Sequence, residues 1–117
     1  GSQLDRIIES VKKLNESKIY PEIIYYNTLK PFNETQLIKS LNKTGKLFVI
    51  EEISSQDGLL NLCLKTINKL KNKKLNYDVI SISKFIKGYG SYDKLCEQNG
   101  FSIKNIVSKA KKLFHAK

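Results

Sequence analysis

The sequence predicts an α/β fold of three layers, α/β/α, in which a mainly parallel sheet is covered by helices on both faces. Three observations carry this. Helical and strand-like apolar patterns alternate along the chain, as β-α-β crossovers require. The run Leu47-Phe48-Val49-Ile50 is continuously apolar, as a strand buried on both faces must be. The stretch from Tyr20 to Glu52 reads as strand, turn, capped helix, glycine stop and second buried strand, one complete crossover unit.

Taken in order, the first helix is expected over Gln3 to Glu16. Leu4, Ile7, Ile8, Val11 and Leu14 recur on one face, and Ser2 and Asp5 have the spacing of a capping box. After Tyr20-Pro21, the segment Glu22 to Asn27 is too short for a helix and rich in β-branched and aromatic residues, so it is expected to be the first strand. Asn27 to Phe32 forms a turn closed by Pro31. Asn33 and Gln36 then form a second capping-type pair ahead of Leu37, Ile38 and Leu41. Gly45 stands where a helix-ending glycine belongs.

Lys46 to Glu52 is the next strand. Ser54 or Ser55 can cap a helix whose buried face is Leu59, Leu60, Cys63, Leu64, Ile67 and Leu70. A polar linker, Lys71 to Asn76, leads to a strand over Tyr77 to Ser83. Beyond it, Phe85 and Ile86 can plug the end of the sheet, and Gly88 and Gly90 flank a tight turn. Ser91 caps a short helix ending at Gly100, and Ser102 starts a last helix with Ile103, Ile106, Val107, Ala110, Leu113 and Phe114 apolar. Residues 1–117 are expected to form a single domain, long enough to bury about two-thirds of their unfolded surface.

The bulk numbers narrow the function classes. A net charge of +10 raises the reading of a freestanding basic module for nucleic acid or phosphorylated ligands. Against it, Arg6 is the only arginine, and the lysines are spread over nearly every element. Specific recognition of bases and phosphates favours the planar guanidinium fork. The densest cluster, KLKNKK over Lys69 to Lys74, falls where a helix ends and suits its dipole. No apolar run approaches the ~20 residues of a membrane span, no signal peptide is visible, and Cys63 and Cys96 lack metal-site spacing. The expected location is cytoplasmic, with neither a membrane nor a specific nucleic acid as partner.

Few residues invite chemistry. Glu51 and Glu52 are adjacent on a strand and point to opposite faces, which is wrong for paired acid/base work on one substrate. Strand-end carboxylates that contact loop amides or solvent are the plainer reading. His115, the only histidine, lies near the end of the chain without a second histidine for metal. Six tyrosines, Tyr20, Tyr25, Tyr26, Tyr77, Tyr89 and Tyr92, suggest a stacking platform, but Tyr25 and Tyr26 alternate within a strand and core packing fits them better. One candidate remains, an anion site at Ser54, Ser55, Gln56 and Gly58, where a helix begins beyond the carboxyl end of a strand. No catalytic, cofactor-binding or metal-ligating residue is assigned.

Several motifs together resemble a known family. They are the Lys30-Pro31-Phe32 turn into a helix, the run KTGKLFVIEE over Lys43 to Glu52, and Gly58 shortly after the paired glutamates. A tail of Gly90, Ser91, Leu95, Gly100, Phe101, Ser102, Ile106, Val107 and Ala110 extends the match. In this order they resemble the C-terminal domain of the transketolase family of thiamine-diphosphate enzymes. That family comprises transketolases, 1-deoxyxylulose-5-phosphate synthases and the β subunits of 2-oxoacid dehydrogenases. The tail looks more like the first two.

The resemblance implies a non-catalytic C-terminal domain that contributes to subunit stability and dimer assembly by packing on the parent's catalytic domains. Thiamine diphosphate and Mg, with ketol or aldehyde-unit transfer, belong to that parent. The G-D-G…N metal motif is missing from this chain, because Gly88-Tyr89-Gly90 lacks the acid and Asp57-Gly58 lacks the rest. Ile53 replaces the histidine that often follows the two glutamates, so any role tied to that residue is not carried over. The family domain also opens with a strand before its first helix. The resemblance therefore implies a fragment lacking that strand, with a sheet ordered 22–27, 46–52, 77–83 or a neighbour supplying the pairing.

Overall fold

A computed structural model describes residues 3–26, 32–53, 58–70, 74–83 and 101–116. Among them the chain forms α1 (Gln3–Glu16), α2 (Thr35–Thr44), β1 (Lys46–Ile53), α3 (Leu59–Lys69), β2 (Asn76–Ser83) and α4 (Ile103–His115). The strands pair in parallel, from Lys46 opposite Asn76 to Ile53 opposite Ser83. The turn at 27–31, the segment 54–57 and the expected helix ending at Gly100 lie outside the described residues.

β1 explains the layering. Its alternate residues Leu47 and Val49 join Leu37, Leu41 and Cys63 in one apolar cluster, on the side of α2 and α3. Phe48 and Ile50 join the other cluster, with Ile7, Ile80, Phe101 and Ile106, on the side of α1 and α4. A strand with period-two side chains must be apolar throughout when both faces are covered, and LFVI is. The fold is α/β with a parallel sheet between helical layers, as expected.

The helix ends follow local rules, with some departures. Gly45 takes the left-handed conformation (φ 69°) and its N–H donates to the Leu41 carbonyl. Ser102 caps α4, its Oγ accepting from the Asn105 N–H at 3.1 Å. α2 begins at Thr35, and Asn33 Oδ1 accepts from the Thr35 N–H instead of pairing with Gln36. Its N-cap is Glu34, whose carboxylate turns to Lys69 and Thr66 of α3. α1 closes at Lys18, a non-glycine residue at φ 62°, with the Ile19 N–H donating to the Leu14 carbonyl.

The sheet corrects one expectation. It has two strands, ordered β1-β2, and among the described residues 22–26 none is in a strand. The segment keeps its alternation: Ile24 packs into the α2/α3 cluster, while Ile23 and Tyr25 stand 46% and 70% exposed. It joins no ladder because its propensity was satisfied only in part. A strand is a paired state, and among the described residues the backbone of 22–26 makes no hydrogen bond to another backbone group.

Candidate functional site

The candidate site lies between β1 and the 20–26 segment, and reaches the carboxyl end of β1. Glu51, near the carboxyl end of the strand, aims its carboxylate at the start of α3, where Oε2 accepts from the Leu60 N–H at 3.1 Å. The N-cap of α3 is Gly58, which has no side chain to cap with. Glu51 therefore supplies from the neighbouring strand what the cap residue lacks, and a negative charge there suits the helix dipole. The approach is close. A Cβ at Gly58 would meet Glu51 Oε2 at 2.8 Å.

This geometry bears on the sequence candidates. Glu51 is a strand-end carboxylate whose partner is an amide in the first turn of α3, where a loop amide or solvent was expected. The N-cap of α3 is Gly58 rather than Ser54 or Ser55, and the Glu51 carboxylate accepts from the Leu60 N–H at that helix start. Ser54, Ser55 and Gln56 lie outside the described residues. At Gly58 an external anion would have to compete with Glu51 for the same helix start.

Beside Glu51 lies Cys63, 3% exposed and lining the groove. Burial, and secondarily the Glu51 carboxylate, push its thiol up to about 11, so it is not poised as a nucleophile. His115 stacks edge-on against Phe114 at 5.1 Å. Among the described residues no three His, Cys, Asp or Glu side chains gather as metal ligands. Of the tyrosines, Tyr26 packs on Phe32 with ring centroids 4.7 Å apart, whereas Tyr20, Tyr25 and Tyr77 are exposed. Tyr89, Tyr92 and Cys96 lie outside the described residues.

Three ion pairs among the described residues join different parts of the chain at the surface. Lys43 meets Glu22 at 2.9 Å and Lys69 meets Glu34 at 2.8 Å, lowering both carboxyl pKa values, chiefly through the lysine hydrogen bonds. Lys109 approaches Asp78 at 3.6 Å. Such exposed pairs are screened by solvent and contribute little to stability.

The feature that sequence reasoning missed is a groove of about 850 Å³. It is lined by consecutive residues 46–51 of β1, by consecutive residues 19–26, and by residues from all four helices. A pocket on a sheet face meets every second residue of a strand, so an unbroken run of six places this groove at the strand's edge. Among the described residues none of its lining comes from β2, so it is the edge facing away from β2. The signal in the sequence was a strand apolar on both faces next to a second extended apolar segment.

The chain is similar to known proteins over part of its length. It is 38% identical over 56 residues to the pyruvate dehydrogenase E1 component subunit beta of Chlorokybus atmophyticus, covering 48% of this chain and 17% of the relative. The same subunit of Mesostigma viride is 39% identical over 56 residues, again covering 48% of this chain and 17% of the relative. The match thus spans about a sixth of the length of these curated relatives. No family model matches. No solved structure matches. Both relatives are dehydrogenase β subunits, one of the three groups in the family that the motifs resemble. They are not from the two groups that the tail favours. No helix among the described residues is long and apolar enough to cross a membrane.

Proposed function

We propose that this chain is the C-terminal domain of a thiamine-diphosphate-dependent enzyme of the transketolase family, and that it is non-catalytic by itself. Its role is to stabilise the parent subunit and its homodimer by packing against the catalytic domains. The observation that carries this is the 56-residue similarity to dehydrogenase E1 β subunits. The three-layer α/β fold is consistent with it.

Under this reading thiamine diphosphate and Mg, and the transfer of a ketol or aldehyde unit, belong to the parent's other domains. Nothing in the Glu51–Gly58 arrangement is needed for that chemistry. The carboxylate holds a helix start, and the buried Cys63 thiol stays protonated. The β-subunit type is favoured by the relatives, and the transketolase or deoxyxylulose-phosphate synthase type by the tail motif.

Two measurements test the proposal. Calorimetric titration of the chain with thiamine diphosphate and magnesium should give no binding heat, and micromolar affinity would overturn the non-catalytic assignment. Reading the gene upstream of Gly1 should reveal a G-D-G…N motif and a catalytic glutamate. Their absence from the open reading frame and from any adjacent gene would remove the parent.

A further inference from the structure

We draw no further inference here: the strongest candidate, the apolar groove of about 850 Å³ along the edge of β1 that faces away from β2, carries nothing of its own, because it lies where the resembled family's domain holds its opening strand.

Discussion

Replacing Gly58 by alanine tests the strand-to-helix contact that organises the carboxyl end of β1. Gly58 has φ −76° and ψ 170°, which alanine adopts without strain, so backbone conformation alone would make the change neutral or stabilising by about 0.4–1 kcal/mol. The opposing effect is steric. The new Cβ would lie 2.8 Å from Glu51 Oε2 and 3.5 Å from Cδ, so the carboxylate must withdraw. What it gives up is the bond from the Leu60 N–H, and a hydrogen bond to a charged group contributes about 1.5–3 kcal/mol. The expected net loss is about 0.5–2.5 kcal/mol. Glu51→Ala removes the same bond, so the two changes cannot both lose it. In the Glu51→Ala background, Gly58→Ala should be neutral or stabilising, giving a coupling of about 1–3 kcal/mol. Urea unfolding of the four proteins, followed by far-ultraviolet circular dichroism at constant slope, measures this. Additivity of the two changes within about 0.5 kcal/mol would refute the reasoning.

Three further outcomes are expected. Lys18→Gly should stabilise the chain by about 0.5–1 kcal/mol in the same assay, because Lys18 holds φ 62° without the freedom of glycine. Glu34 has its pKa lowered by hydrogen bonds from Lys69 and Thr66, so its contribution is present above the ordinary value of 4.5 and lost as pH falls through the lowered one. Glu34→Gln should therefore flatten the loss of stability below that pH and leave a smaller difference from the parent in acid than at neutrality. In a Cys96→Ser background, Cys63 should react with iodoacetamide at pH 8 at least about a hundredfold more slowly than a free thiol, since a pKa of about 11 leaves little thiolate. Rapid labelling under native conditions would contradict its burial.

Much of the architecture was legible because it rests on local rules. The run LFVI in β1, apolar at every position, announced a strand covered on both faces, and Gly45 and Ser102 marked helix ends that depend on one residue's conformation or one side chain's reach. Periodicity likewise found the buried faces of α2 and α4, at Leu37, Leu41 and Ile106. The candidate site was less legible. Glu51 could be identified as a strand-end carboxylate, but its partner, the Leu60 amide, is nine residues away, and only the packing of α3 on β1 brings it within 3.1 Å.

The 22–26 segment divides the two levels most sharply. Its composition set an alternation of apolar side chains, and that is what it has, with Ile24 inward and Ile23 and Tyr25 outward. Whether such a backbone becomes a strand is decided by a second backbone at bonding distance, and that distance is a tertiary quantity. Sequence alone set the apolar character of residues 20–26 and 46–51. Tertiary structure set the groove of about 850 Å³ that both runs line, because the separation of two backbones is fixed by how the whole chain packs and not by either run's own composition.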